Sequence, residues 1–568
     1  MAPPSSSIVI EQPIFTRRKL RVVAIGAGFA NLILAHKHKF GEGKGYIDLV
    51  FYEKNAGVGG TWFENRYPGV KYLLSKKSAN PSIMSSLTQL SIYTFPFAPN
   101  PDWTSFYVGG PEILDYINKT ASDYHLNEYV QLQSRVTSAI WSSEKGKWDI
   151  TIDQQGHILS DEADILINGA GILNRWQWPS IPGLDTFQGE LVHSAQWNPS
   201  LDWTDKKVGL IGNGSSAIQI LPQIQLKAKS VGTYIRSPTW IIPNFLAELT
   251  PEGRNFEYTD EQKREFREHP ETLHELRRKM EHAINSYFVM LMKDSPQQRA
   301  AREMLTKAME EQLGGDTELA ANLVPTFPVG CRRITPGDEY LDALKAENVT
   351  VHFGKILEFQ ETGILSHPNA DDVLPPELNS YDIIVCATGF DVSFVPAWEM
   401  KGLNGVDLRA LWKDQAEVYM GLCAPEMPNY FIFNGPNCPI GHGSLMACMD
   451  FAADYILRWC DKIASQGIKY VVIKGDVLRE FNDYSQAWLQ RTAWSGSCRS
   501  WYKNHQEEGR VSAMYAGSIL HYREMLRAFR TDDFEIEYLD GKNRFGFLGN
   551  GATEYEMKGV DLGFYLEM

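Results

Sequence analysis

Apolar residues in this chain fall in short blocks separated by glycine-rich turns, and the blocks alternate between two periods. Leu20–Ile25 is a near-continuous apolar run, as a strand buried on both faces requires, and 29–38 carries helical spacing. A second strand, Ile47–Tyr52, ends at Glu53, and the same strand, turn, helix and strand order recurs from 207 through 235. Between 251 and 316 the pattern changes to long helical periodicity with dense charge, which predicts a helical insertion. The α/β pattern resumes at 349–353 and 381–387. The remainder, 403–568, reads as short strands, glycine-rich turns and one helix near 444–459.

Both turns that join a strand to a helix carry a recognisable chemistry. The first is Gly26-Ala27-Gly28-Phe29-Ala30-Asn31. Its first two glycines permit a tight turn that brings backbone N–H groups and a helix N-terminus against a pyrophosphate, and Glu53 stands where an acid would receive ribose hydroxyls. Asn31 replaces the usual Gly or Ala at the third position, which predicts a looser helix–strand contact there. The second turn, Gly212-Asn213-Gly214-Ser215-Ser216-Ala217, satisfies the GxGxxA form fully. Its next strand ends in Arg236 and Ser237 rather than an acid. A guanidinium there suits a 2′-phosphate, so this half is expected to prefer NADPH to NADH. Two such sites without a Walker A pattern predict a flavin, held at the first, and a nicotinamide that reduces it, held at the second.

Composition narrows the partners. The 568 residues carry 55 basic and 70 acidic side chains, a formal charge of −15, which opposes binding of nucleic acid or an anionic membrane by bulk charge. Seven cysteines, no two closer than ten positions, argue against a disulfide scaffold and a CxxC site. No stretch reaches the roughly 18 apolar residues of a membrane helix, and the N-terminus lacks a signal-peptide pattern. A reduced, soluble, cytoplasmic protein is expected. No metal site is expected either: 274–278 begins like a zinc helix but has Arg278 in place of the second histidine. GxSxG is absent, which removes the common nucleophile-elbow hydrolase.

Further segments carry a resemblance: Gly59-Gly60-Thr61-Trp62, then Phe187, Gly189, His193 and Trp197 in the order FxGxxxHxxxW, with Asn198 in place of Pro or Asp. With these, the chain resembles the flavin-dependent Baeyer–Villiger monooxygenases from about 21 to 502. The segments 382–391, 434–437 with 441–444, and 498–502 are similar to the family's ATG, GPN…GHGS and C-terminal loop stretches. The resemblance implies FAD and NADPH as cofactors and a ketone with O₂ as substrates, the product being an ester or lactone; a secondary-metabolite ketone is among the candidates. It implies an FAD-binding domain at 1–165 and 389–568, an NADPH-binding domain at 166–240 and 330–388, and the helical insertion at 241–329. It places Gly60, Thr61 and Trp62 at the flavin and Trp501 at the nicotinamide. Gly330-Cys331-Arg332-Arg333 is similar to the family's Gly-Cys-basic-Arg segment, which implies Arg333 as the catalytic cation beside activated oxygen and Arg332 as an aid to the 2′-phosphate. His193 and Trp197 are expected to shape the linker between nucleotide domains rather than to move protons.

One stretch departs from that pattern. After Tyr67-Pro68-Gly69, a serine-rich segment at 71–91 replaces the family's Cys-Asp pair, and no acid occurs between Glu64 and Asp102. The family's aspartate pairs with the active arginine, so Arg333 is expected to be less well placed without it. The insert fits a loop variant with an acid supplied from elsewhere, a lineage that has lost activity, or a translated non-coding stretch. The alternatives for function are a flavin monooxygenase acting on soft nitrogen or sulfur, and a flavin-binding protein without turnover.

Overall fold

The structure, a computed structural model, describes residues 9–41, 45–69, 93–242, 246–253, 255–369 and 374–566. The anomalous segment at 71–91 lies outside the described residues. Two parallel five-stranded sheets organise the chain. The first has the order Tyr430–Ile432, Ile165–Asn168, Leu20–Ile25, Ile47–Tyr52, Val130–Gln131. Leu20–Ile25 is central in it and almost wholly buried, which is why its sequence is apolar without alternation. The second sheet has the order Val349–His352, Ser230–Tyr234, Lys207–Ile211, Ile383–Cys386, Glu190–His193. The expected domain break at 165/166 therefore cuts a strand of the first sheet. Ile165–Asn168 must stay there because it pairs with Leu20–Ile25, and the chain crosses over only after it.

The crossing segments run side by side. Arg175 pairs with Asp391, the Asp391 N–H donates to the Arg175 carbonyl at 2.8 Å, and Trp176 bridges to Phe390. The insertion is helical: Asp260–Glu268, Pro270–Ser286, Pro296–Gln312 and Thr317–Leu323. Its start is encoded locally, since the Thr259 and Gln262 side chains cap each other's backbone N–H groups. Phe288 and Leu291, between Pro270–Ser286 and Pro296–Gln312, pack with Leu489, Trp494 and Tyr502 of the C-terminal part.

The C-terminal part contains more helix than the single one expected. Leu445–Ser465 is joined by Gly475–Leu489 and Ile519–Ala528. The apolar stripe of Gly475–Leu489 is broken by Asn482 and Ser485, both buried. Asn482 belongs on the inner face because its amide donates to the Val418 and Leu478 carbonyls. Among the described residues no helix is long and apolar enough to cross a membrane.

Candidate active site

The first glycine-rich turn lies between Leu20–Ile25 and the helix Phe29–Phe40. Gly26 has φ +97°, and a Cβ on it would stand 2.8 Å from the Gly169 carbonyl oxygen. Gly28 and Gly60 bring two backbones together: a Cβ on Gly28 would be 3.7 Å from the Gly60 Cα. The Gly59 N–H donates to the Ala27 carbonyl at 3.0 Å, so the segment with Gly60, Thr61 and Trp62 is fastened to the turn. Trp62 is half-buried with its ring edge-on to Tyr93, centroids 5.6 Å apart, while Thr61 is exposed.

Glu53 is 3% exposed, and its carboxylate accepts from the Ala27 N–H at 2.7 Å and the Asn55 N–H at 2.8 Å. Burial pushes its pKa up, against those two hydrogen bonds. The acid thus holds the turn as well as standing at the strand end. Asn31 corrects the expected looseness. It is fully buried, and its amide donates to the Ile25 and Gly26 carbonyls at 3.1 and 2.7 Å. It fits because Gly169 lies opposite, where any Cβ would collide with the amide.

The second turn is built alike, between Lys207–Ile211 and the helix Ser215–Gln225. Gly212 has φ +126° and packs against the Ala387 carbonyl, whereas among the described residues nothing lies within 4 Å of where a Cβ on Gly214 would be. Ala217 is fully buried, as the small third position requires. Asn213, which sequence reasoning passed over, organises the rim. Its amide donates to the Ser237 carbonyl at 3.1 Å, its carbonyl oxygen accepts from Tyr340 at 2.6 Å, and Thr239 donates to its backbone oxygen at 2.9 Å. The Ser215 and Thr335 hydroxyls lie 3.3 Å apart. Arg236 follows the strand Ser230–Tyr234, and Arg332 reaches the same rim by donating to the Pro238 carbonyl at 2.9 Å.

Arg333 is partly buried on the loop after the insertion. That loop is anchored by Gly330, φ +90°, and by Cys331, whose N–H donates to the Pro328 carbonyl at 3.1 Å. The Arg333 charge acts on three phenols, Tyr67, Tyr93 and Tyr502, each pushed up by burial first and pulled back by the guanidinium; Tyr502 stands at about 12. Ser216 and Gln219 of the second turn's helix also pull the Tyr67 phenol back, and Gly69 packs against the Gln219 carbonyl. Residues from both nucleotide-binding units and from the C-terminal segment thus meet at Arg333. Trp501, half-buried, stacks edgewise on Tyr502 with centroids 4.7 Å apart.

The cysteines correct a second expectation. Cys331 and Cys498, 167 positions apart, form a disulfide, and the five other cysteines are free and buried. Sequence spacing carries no trace of this pair because only the folding of the C-terminal segment over the Arg333 loop brings them together.

His193 lies between the crossing segments, stacked on Trp176 with centroids 4.5 Å apart. Its Nδ1 accepts from the Ala195 N–H at 3.1 Å, and its Nε2 stands 3.3 Å from the Thr388 hydroxyl. Burial holds both His193 and His442 down to about 4. An unfolded histidine titrates near 6.5, so between there and about 4 the unfolded chain binds protons that the native one refuses. Stability is therefore intact above about 6.5 and falls on acidification, by about 1.4 kcal/mol per pH unit for each such group. Urea unfolding between pH 7.5 and 5 is expected to show this loss and a shallower one in H193Q/H442Q; equal slopes would refute the assignment.

The sequence profile of the family described as flavin-binding monooxygenase-like matches residues 19–255. The FAD-binding monooxygenase tazF of Aspergillus terreus is 42% identical over 560 residues, covering 98% of this chain and 96% of that protein. A Baeyer-Villiger monooxygenase of Pseudomonas aeruginosa is 29% identical over 522 residues, covering 91% and 92%. Among solved structures, cyclohexanone monooxygenase from Rhodococcus sp. Phi1 bound to NADP+ superposes with a TM-score of 0.74 at 23% identity, over 92% of this chain and 100% of that one.

Proposed function

The chain belongs to the flavin-binding monooxygenase-like family, and from that premise we propose that it is an FAD- and NADPH-dependent monooxygenase inserting one oxygen atom of O₂ beside a ketone carbonyl. Ketone, O₂, NADPH and a proton give an ester or lactone, NADP+ and water. The observation that carries this reading is a partly buried guanidinium, Arg333, on the loop tied by the Cys331–Cys498 bond, whose charge reaches the phenols of Tyr67, Tyr93 and Tyr502.

The residues present fit both coenzymes. Gly26, Gly28 and Gly60 form a cradle that side chains would fill, and Glu53 fixes its floor. Gly214 leaves open the space that a pyrophosphate would take, at the N-terminus of Ser215–Gln225. Bound FAD would supply hydride acceptance and O₂ activation, the chemistry that no side chain here provides. Arg236, Ser237 and Arg332 would hold the 2′-phosphate, and Trp501 would lie on the nicotinamide side. Arg333 stabilises the negative charge that develops on oxygen as the ketone carbonyl is attacked; a fixed cation costs little reorganisation there. Arg333 is itself partly buried, and a site partly shut off from water strengthens the field of a fixed charge.

The test uses FAD-loaded protein with NADPH and a panel of cyclic ketones, reading lactone by mass spectrometry against O₂ consumed. Lactone formed in step with NADPH oxidation supports the assignment. Sulfide or amine oxygenation without lactone would transfer the chain to the rival chemistry. R236A should raise the KM for NADPH at least about tenfold and leave that for NADH unchanged, since one charge-assisted contact is worth roughly 1.5–3 kcal/mol.

A further inference from the structure

Arg499 was not among the expected site residues, yet a chain of contacts places it beside Arg236 and Arg332. Cys498, the residue before it, is bonded to Cys331, the residue before Arg332, with 6.3 Å between their Cα atoms. Arg332 is tied to the Pro238 carbonyl, two residues past Arg236. His505, across the same turn of the C-terminal segment, is held down by burial first and then by Arg499, Arg236 and Arg332 together. Arginines from three distant segments therefore converge on one place.

Their arrangement is unfavourable as it stands. Arg236, exposed at the rim, is pushed down by partial loss of water and by Arg499, and Arg332, partly buried, by burial and by Arg236; among the described residues no carboxylate opposes either shift. In a chain with 70 acidic side chains, cations that face each other instead of an acid form a receptor for an external anion. A phosphate monoester carries close to two charges and offers three acceptor oxygens, enough for three guanidinium groups.

We propose that Arg499 is a third specificity-determining residue for the coenzyme's 2′-phosphate, delivered by the C-terminal segment and latched beside Arg236 and Arg332 by the Cys331–Cys498 bond. This rests on the second glycine-rich turn being the NADPH site. The bond makes the contact redox-dependent. A dithiol such as dithiothreitol passes two electrons and two protons to the disulfide, leaving two thiols and a cyclic oxidised reductant, and the segment is then free to carry Arg499 away.

Calorimetric titration of the FAD-loaded protein with NADP+, NAD+, 2′,5′-ADP and 5′-AMP tests this without turnover. R499A should weaken NADP+ and 2′,5′-ADP about tenfold and leave NAD+ and 5′-AMP unchanged, with R499K recovering part of the loss. Dithiothreitol should weaken NADP+ on the wild type and do nothing further to R499A. Unchanged binding by R499A, or equal loss for NADP+ and NAD+, would overturn the role of Arg499. A loss on R499A that reductant does not reproduce would overturn the latch. R236A separates the premise: if it too fails to discriminate NADP+ from NAD+, the reading of the second turn falls, whereas a selective loss on R236A alone refutes only Arg499.

Discussion

R333A is expected to purify yellow, to be bleached by NADPH at a near-normal rate, and to form no measurable lactone. Arg333 belongs to neither glycine-rich turn, so its removal leaves Gly26, Gly28, Glu53, Gly212 and Gly214 in place. What is lost is a positive charge that reaches Tyr67, Tyr93 and Tyr502. A preorganised group aimed at developing charge is worth roughly 10²–10³ in rate, or about 3–4 kcal/mol. The loss should fall on oxygenation alone, with NADPH oxidation persisting and O₂ returned as hydrogen peroxide. Stopped-flow reduction and lactone yield measure the two halves separately. R333A protein that still makes lactone at a tenth of the wild-type rate would remove the arginine from this role.

G26A should come out colourless and less stable. At φ +97° a side chain costs roughly 1–2 kcal/mol in backbone strain alone. In addition, its Cβ would lie 2.8 Å from the Gly169 oxygen and 3.2 Å from the Gly169 carbonyl carbon, both backbone atoms that cannot swing away. Relieving that contact moves the turn off Glu53, whose hydrogen bond to the Ala27 N–H sets its shape. G214A is the control. It has no φ strain and open space around the added methyl, so its melting temperature without coenzyme should match the wild type while NADP+ affinity drops at least tenfold. The ratio of flavin to protein absorbance and the melting temperature read both variants. A yellow G26A as stable as the wild type would show that the turn tolerates what its geometry forbids.

Much of this site was legible beforehand because it is local. Each glycine-rich turn sits directly between its strand and helix, and Glu53 follows its strand, so short spacings encode them. Asn31 shows the limit of such reading. Its departure from the pattern implied a looser contact, but the amide replaces packing with two hydrogen bonds, and that substitution works only because Gly169, on another strand's end, leaves room. Asn213 likewise had no visible signal, since its partners lie on two segments distant from it, Ser237 with Thr239 and Tyr340. The helix Gly475–Leu489 was hidden because Asn482 faces inward for the sake of a carbonyl, Val418, that the spacing of apolar residues cannot reveal.

By itself, the order of residues determined that two dinucleotide-type turns exist, which one lacks an acid after its second strand, and that a charged helical block separates the halves. Those features depend on neighbours a few positions apart, whose hydrophobic periodicity and backbone requirements are written in the chain. Only the tertiary structure decided that the Arg333 charge reaches three tyrosines, that Asn168 ends a strand of the first sheet, and that Cys331 and Cys498 join the loop of one arginine pair to Arg499. These are encounters between segments far apart in sequence, settled by which faces bury together and which charges are left facing each other, and no spacing along the chain records them.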